Sequence, residues 1–235
     1  MPVVPVLPDW VAPKPKPTAP RTSQTPPRTL DRTARATAER IATVAGDGSV
    51  VPLLYGEQIV GGLVATVVQV GLYWYYLPVW CAGPVQSVVS VTVEGTDPTF
   101  TTINTYTGTS GQSAAALMQA AIAGYADTLA GVCYSVVRVA KHSVAGFPRF
   151  TARIQGREVY DPRRDPTHPD YSGAGAQSLA DPATWEYSTN PALCLADFIT
   201  SDAYGMAWSI DWASVATVAT ECDAVVTGGG KRRTV

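Results

Sequence analysis

Charged residues are scarce in this sequence, and neither sign is in strong excess. Asp, Glu, Lys and Arg make up only 15% of its 235 residues and leave a net charge of −2, whereas soluble domains typically contain about 25% charged residues. Non-specific binding to DNA or RNA depends on a strong positive field, so we expect no direct nucleic-acid ligand. Because 46% of the residues are hydrophobic, we expect part of the surface to be buried against partner proteins.

Cysteine and histidine are also rare, which excludes several kinds of site. No C-x-x-C pair occurs, so neither a zinc knuckle nor a dithiol redox motif can be formed. The four cysteines are Cys81, Cys133, Cys194 and Cys222. We interpret them as reduced core residues instead of a disulfide framework. A serine or cysteine triad would need His142 or His168 as its base, and neither lies in a recognisable catalytic context.

Common catalytic motifs are absent as well. The sequence contains no G-x-x-x-x-G-K-[ST] phosphate loop, no H-E-x-x-H metal helix and no G-x-S-x-G nucleophile turn. One short segment does combine three carboxylates with an imidazole, at Asp161, Asp165, His168 and Asp170. Such a group could bind a divalent cation. Prolines between these residues would hold the side chains apart, so we favour a solvated loop over a metal site.

Paired carboxylates that cleave sugars are the remaining catalytic possibility. The nominal candidates are Glu158, Asp161, Glu186 and Asp197. The sequence alone brings no two of them together, and a chain of this length contains such acids by chance. We therefore predict no catalytic residue, no cofactor and no metal, and we keep a cell-wall-degrading enzyme as the alternative.

Two hydrophobic stretches could be mistaken for membrane or export signals. Residues 1–11 lack a basic n-region and are interrupted by Pro2, Pro5 and Pro8, so they make a poor secretory signal. Residues 58–93 carry no charge and are long enough to span a bilayer. They are nevertheless rich in Gly, Pro, Val, Thr and Tyr, which favours strands. We predict a sheet without stable membrane insertion, and a membrane-anchored protein stays a second alternative.

The N-terminal region, residues 1–47, is predicted to be a basic, proline-rich arm. Its first 29 residues cannot form a compact core or a helix. They are either a disordered tail or an extended strap that becomes ordered on a neighbouring subunit. Residues 30–45 could form a short helix, with Asp31 as N-cap and Gly46 as its end.

Residues 48–235 are predicted to form one α+β domain, mainly β over 48–160. Strands are expected at 50–55, 62–70, 72–79, 85–93, 133–140, 150–154 and 156–160. An Ala-rich segment at 111–129 has helical spacing and predicts one helix that covers the sheet. The run Tyr73-Trp74-Tyr75-Tyr76 places rings on both faces of a strand. Either that strand is buried on both sides, or one of its faces forms a subunit interface or a sugar-binding platform.

The last third is predicted to be a loop followed by two helices. Residues 161–184 have no periodicity, and we expect this loop to contact another chain. Over 185–235, Asn190 caps a helix that Gly205 ends, with Leu195, Phe198 and Ile199 facing inward. A second helix starts after Asp211 as N-cap, and Val215, Ala219 and Cys222 share one face.

Four stretches in this order resemble a known family. Residues 52–62 read Pro-Leu-Leu-Tyr-Gly-Glu-Gln-Ile-Val-Gly-Gly, and residues 129–134 read Leu-Ala-Gly-Val-Cys-Tyr. The most specific is Gly-Phe-Pro at 146–148 followed by Ile-Gln-Gly-Arg-Glu-Val-Tyr-Asp-Pro-Arg at 154–163. The fourth begins at Trp185, includes Ser-Thr-Asn-Pro-Ala-Leu-Cys-Leu-Ala-Asp-Phe at 188–198, and continues through Tyr204-Gly205, Ile210-Asp211 and Cys222-Asp223. They are similar to the lambda-type tail tip attachment protein J family of phage tail hubs, which has relatives in gene transfer agents.

This resemblance implies a structural protein of the virion, located at the tail tip and made in the host cytoplasm. It implies a homotrimeric hub that closes the distal end of the tail tube. Its partners would be the distal tail protein, the tape-measure protein and downstream receptor-binding proteins. Family members are usually far longer, so we expect the receptor-binding portion to lie outside this chain, either because the gene is split or because the chain is a fragment.

Overall fold

The computed structural model describes residues 44–45, 50–96, 98–168, 173–225 and 230–235. The arm before residue 44, including most of the helix predicted at 30–45, lies outside these residues. The predicted end of that helix is wrong, because Val44–Ala45 is a strand that pairs in parallel with a later strand at Leu63 and Val64. The described fold is α+β, as predicted, with more residues in strands than in helices.

The strands and helices follow one another in a simple order. The strands are β1 (Val44–Ala45), β2 (Glu57–Gly61), β3 (Leu63–Val70), β4 (Tyr73–Ala82), β5 (Ser87–Thr96), β6 (Thr101–Tyr106), β7 (Val132–Ala140), β8 (Val144–Gln155), β9 (Glu158–Val159) and β10 (Glu186–Tyr187). The α-helices are α1 (Ala116–Ala121), α2 (Pro191–Thr200) and α3 (Trp212–Asp223). The 3-10 helices are Pro98–Phe100, Lys141–Ser143, Pro162–Arg164 and Pro182–Thr184.

The strands form three sheets. One sheet has the order β1-β3-β4-β7-β6, a second has the order β2-β8-β5, and β10 and β9 form a short pair. All neighbours are antiparallel except β1 and β3. Buried residues from the first two sheets pack together, including Trp80, Val137, Phe150 and Ile154. This cluster is the main hydrophobic core, and its burial is the largest stabilising contribution to the β part.

The opposite face of the larger sheet forms a second core under α1. Tyr75 and Leu77 of β4 pack there with Tyr134 of β7 and with Met118 of α1. Because successive residues of a strand point to opposite faces, Tyr76 points into the main core instead. The aromatic run thus lies in a strand buried on both sides, as one of the interpretations predicted, and α1 is the predicted covering helix.

Several predicted strand bounds need correction. Residues 50–55 are not a strand, and the first strand in that region is β2. β6 was missed, since its sequence Thr-Thr-Ile-Asn-Thr-Tyr is polar and lies at the edge of its sheet. The strand predicted at 150–154 is the end of the longer β8, and the one predicted at 156–160 shrinks to β9.

The helix predicted at 111–129 is much shorter than its periodicity suggested. Only α1 is helical, and the chain turns at Gly124 and Leu129, which have φ values of 79° and 50°. The buried side chain of Gln112 accepts a hydrogen bond from Gly108 N and donates to the carbonyls of Thr128 and Leu129. A loop in which one side chain satisfies three backbone groups therefore replaces the rest of the helix.

The two C-terminal helices are confirmed, but one predicted face is wrong. Asn190 and Asp211 each accept a hydrogen bond as N-cap, from Ala192 N and Ala213 N at 3.0 Å. However, α2 ends at Thr200, five residues before Gly205, and the side chains of Leu195 and Phe198 are exposed. The buried residues of α2 are Leu193, Cys194, Ala196 and Asp197.

The uncharged stretch 58–93 forms β2 to β5, so the prediction of a sheet is confirmed there. In the part of the chain that the structure describes, no helix has the length and apolar character needed to cross a membrane. All four cysteines are buried free thiols. The domain boundary at residue 48 stays a prediction.

Candidate functional site

Three of the four stretches that resemble the tail-hub family meet where the sheets face α2 and α3. The first and third lie side by side, since Gly156 N donates to the carbonyl of Gly56 at 2.7 Å and Arg157 N donates to that of Leu54 at 3.0 Å. A Cβ atom on Gly156 would lie 2.4 Å from the Leu54 carbonyl oxygen, which explains why this position is glycine. The second stretch lies elsewhere, in β7 and the segment before it.

A polar cluster joins this backbone pair to α2. We name Tyr55, Arg157, Asp197 and Tyr204 the tyrosine–aspartate cluster. The hydroxyls of Tyr55 and Tyr204 both donate to Oδ2 of Asp197, at 2.5 Å and 2.8 Å. The guanidinium carbon of Arg157 lies 4.3 Å from the ring centroid of Tyr204, and Nη1 donates to the Gly83 carbonyl at 3.0 Å. A buried carboxylate is thus satisfied by one donor 142 residues away and by another seven residues away.

The electrostatics of this cluster favour a structural role over a catalytic one. Burial, reinforced by the hydrogen bond to Asp197, raises the pKa of both tyrosine hydroxyls, so they remain protonated donors. Burial, with a smaller contribution from Asp197, also raises the pKa of the Cys194 thiol to about 12. A thiol that stays protonated is a poor nucleophile. We conclude that the cluster attaches α2 to the sheets.

The loop after β9 is attached to α3 by a second polar network. Oδ1 and Oδ2 of Asp161 accept hydrogen bonds from Nε and Nη2 of Arg163 at 2.9 Å and 2.7 Å. The same Nη2 also donates to Asp223 at the end of α3, at 2.9 Å, and Lys231 pairs with that carboxylate at 2.6 Å. The network is only partly exposed, so it is screened less by solvent than a surface ion pair. Asp161 therefore positions the arginine that joins the loop to α3.

Asp165 is the centre of the same loop. Its carboxylate accepts hydrogen bonds from the Tyr160 hydroxyl, the Thr167 amide and hydroxyl, and the Leu179 amide, at 2.7–3.0 Å. Burial alone would raise the pKa of Asp165, but these donors lower it to about 2. His168 is buried nearby, with its ring centroid 6.2 Å from that of Trp212.

The expectation of a solvated loop is therefore wrong for three of its four polar residues. Asp161, Asp165 and His168 are all buried, and Asp170 lies outside the described residues. Across the described ranges, no three Asp, Glu, His or Cys side chains are grouped in a way that could hold a metal ion. The lone pairs of Asp165 are occupied by donors of the protein itself, because the loop folds inward around this side chain instead of extending into solvent.

The four nominal sugar-cleaving acids separate into two groups. Asp161 and Asp197 belong to the two polar networks just described. Glu158 and Glu186 lie on the paired strands β9 and β10, and both line a cavity of about 290 Å³ with Trp185. The other residues that line it are Gln86, Gln155 and Tyr187. Both carboxylates are exposed, and Glu186 is paired with Arg164.

His142 is the other residue that the sequence offered as a catalytic base. His142 is exposed and packs against Phe100, with ring centroids 4.7 Å apart. Gly173 and Gly175 press against the backbone of Arg163 and Arg164, so they permit close packing of the loop. Sequence reasoning missed the partners of Asp197, although each of them lies within one of the resembling stretches.

Comparisons with known proteins find weak similarity to solved structures. No family model matches the chain, and no curated protein matches it. Among solved structures, a chain from a structure described as "Virion of native gene transfer agent (GTA) particle" matches with a TM-score of 0.44 and 21% identity. The match covers 56% of this chain and 32% of that chain. Similarity at this level does not assign a function.

Proposed function

We propose that this chain is a structural component of a phage tail tip or of a phage-derived particle. In this proposal it closes the distal end of the tail tube as a homotrimer and supports host-attachment proteins. Its neighbours are the distal tail protein, the tape-measure protein and the downstream receptor-binding proteins. It acts by binding these proteins and carries no catalytic centre.

The observation that carries the proposal is that three of the four resembling stretches contact one another at the tyrosine–aspartate cluster. Tyr55, Arg157 and Asp197 come from three different stretches and contribute to a single cluster. Residues that are far apart in the sequence thus share one structural role. The resemblance in sequence order is thereby supported by a common structural role, namely the attachment of the helices to the sheets.

Localisation on intact particles tests this function. An antibody raised against residues 140–200 would be used for immunogold labelling of purified particles, with antibody preadsorbed to the pure protein as control. We expect gold at the tail end away from the capsid. Gold on the capsid, or label found only on free protein in the lysate, would overturn the proposal.

A cell-wall-degrading activity is the second candidate, and one observation favours it. The cavity at β9 and β10 is lined by Glu158, Glu186 and Trp185, and sugar-cleaving sites use a pair of carboxylates. A peptidoglycan zymogram would compare the unchanged protein with Glu158→Gln and Glu186→Gln. The matched control is Glu94→Gln, which removes an exposed carboxylate that pairs with Arg149. Clearing that depends on Glu158 or Glu186, but not on Glu94, would establish this candidate instead.

A further inference from the structure

Four large apolar side chains are exposed together on α2 and the segment that follows it. We name Leu195, Phe198, Met206 and Trp208 the α2 patch. Their exposed fractions are 58%, 38%, 45% and 62%. Leu195 and Phe198 are three residues apart and share one face of the helix. Met206 N donates to the Phe198 carbonyl at 3.1 Å and Trp208 N donates to the Ile199 carbonyl at 2.9 Å, so the later segment lies along the same helix end.

The backbone that presents this patch is held in a constrained conformation. Gly205 lies so close to α2 that a Cβ atom would be 1.8 Å from the Phe198 carbonyl oxygen. Ala207 has a φ of 54°, a left-handed conformation that is unfavourable for a non-glycine residue, and its amide donates to the Ser201 carbonyl at 3.0 Å. A constrained loop thus directs Met206 and Trp208 outward, and exposed apolar groups of this kind mark binding surfaces.

The N-terminal segment has the pattern of a ligand for such a surface. Residues 1–11 read Met-Pro-Val-Val-Pro-Val-Leu-Pro-Asp-Trp-Val. A polyproline II helix has three residues per turn, so residues 1, 4, 7 and 10 would share one edge as Met, Val, Leu and Trp. Residues 2, 5, 8 and 11 would share a second apolar edge, and Val3, Val6 and Asp9 would form the third. Proline-rich segments of this form dock on aromatic-lined surfaces.

Charge also favours this pairing. Residues 12–43 contain seven Lys or Arg residues and two acidic ones. Residues 188–220, which include the α2 patch, contain no Lys, Arg or Glu, and two of their three Asp residues, Asp202 and Asp211, are exposed. The basic linker therefore complements the acidic surroundings of the patch.

The linker is long enough for docking within one chain. Residues 12–43 could extend over roughly 100 Å at about 3.1 Å per residue, which exceeds the dimensions of a domain of this size. A tethered segment is also present at a high effective concentration, on the order of millimolar for short flexible linkers and lower as they lengthen. Weak apolar contacts can then suffice for binding.

We propose that residues 1–11 bind the α2 patch of their own chain in an extended polyproline conformation. Leu7 and Trp10 lie against Phe198, Met206 and Trp208, and the basic linker runs beside the acidic helical region. The α2 patch is then covered in the isolated protein. This proposal does not rest on the proposed function in the tail tip.

Hydrogen exchange of the full chain tests the docking directly. The amides of residues 202–210 would be compared in the unchanged protein and in a variant that lacks residues 2–11. We expect exchange in this segment to be about tenfold faster in the deletion variant, while β4 and β7 exchange as before. Equal rates in the two proteins would overturn the proposal, as would protection that appears only when the protein concentration is raised, since that requires another copy.

A matched pair of variants tests the register. Leu7→Glu places a charge on an edge that contacts the patch, whereas Val6→Glu places the same charge on the third edge. We expect Leu7→Glu to reproduce the faster exchange of the deletion and Val6→Glu to retain the protection. Trp208→Ala should abolish binding of a synthetic peptide of residues 1–11 to the deletion variant. Equal effects of the two glutamates, or peptide binding that survives Trp208→Ala, would contradict the proposed contact.

Discussion

Asp197 is the residue through which α2 is attached to the sheets. Its buried carboxylate accepts hydrogen bonds from Tyr55 and Tyr204, and neither hydroxyl has a comparable acceptor if that carboxylate is removed. A buried donor that loses its partner costs about 1–3 kcal/mol. Loss of this single acid would therefore remove two hydrogen bonds that hold α2 in place.

Replacing Asp197 with alanine should lower the free energy of unfolding by about 2 kcal/mol, because two half-buried hydroxyls lose their charged acceptor. Urea unfolding followed by circular dichroism measures this change. Asp202→Ala is the control, since Asp202 is an exposed acid in the segment after α2, and it should change the free energy by less than about 0.5 kcal/mol. Equal effects of the two substitutions would show that Asp197 has no special role.

Asp165 should make the stability of the folded protein depend on pH in the acid range. Its pKa is about 2 in the folded chain and about 3.9 in an unfolded one, so its carboxylate binds protons less readily when folded. The resulting stability is fully present above about pH 4 and is lost as the pH falls through about 2. In Asp165→Asn, we expect the fall in thermal midpoint between pH 4 and pH 2 to be smaller than in the unchanged protein. Asp127→Asn, at an exposed position, should leave that fall unaltered.

At the scale of elements, features set by neighbouring residues were predictable from the sequence, whereas features set by contacts between distant residues were not. The N-caps Asn190 and Asp211 were identified because a cap bonds to amides two residues away. The buried face of α2 was predicted wrongly, since Asp197 is turned inward by Tyr55, which lies 142 residues earlier. The helix at 111–129 was overestimated for a similar reason, as Gln112 satisfies carbonyls 16 and 17 residues away. The motifs identified the segments that form the candidate site, but they did not show which side chains contact one another.

Gly205→Ala should disturb the end of α2 strongly. The new Cβ would lie 1.8 Å from the Phe198 carbonyl oxygen, so the segment after α2 would have to move away, at a cost of about 2–4 kcal/mol. Urea unfolding would measure the cost, and faster hydrogen exchange at residues 205–208 would locate it. Gly111→Ala is a matched control, because a Cβ there meets nothing within 4 Å. A Gly205→Ala protein as stable as Gly111→Ala would contradict the close packing.

At the scale of the whole molecule, the proposed trimer needs an exposed surface through which copies of the chain contact one another. Beyond Val64, the outer edge of β3 has no partner strand among the described residues. The turn that follows carries Leu72, which is 74% exposed, beside the exposed Tyr73. An uncharged apolar edge of this kind invites pairing with another chain. Few charged residues oppose such contact, since they make up only 15% of the sequence.

Leu72→Asp should therefore weaken self-association without weakening the fold. We expect the unchanged protein at high concentration to scatter light with about three times the mass of its 24.8 kDa chain, and the variant to shift toward the monomer, because a buried unpaired carboxylate opposes the interface. Its thermal midpoint in dilute solution should change little, since the side chain is already exposed. Val50→Asp introduces the same charge at another exposed apolar residue and should leave the mass unchanged. If Leu72→Asp remains a trimer, the interface does not include this edge. If the unchanged protein is a monomer at every concentration, the proposed trimer in solution is refuted.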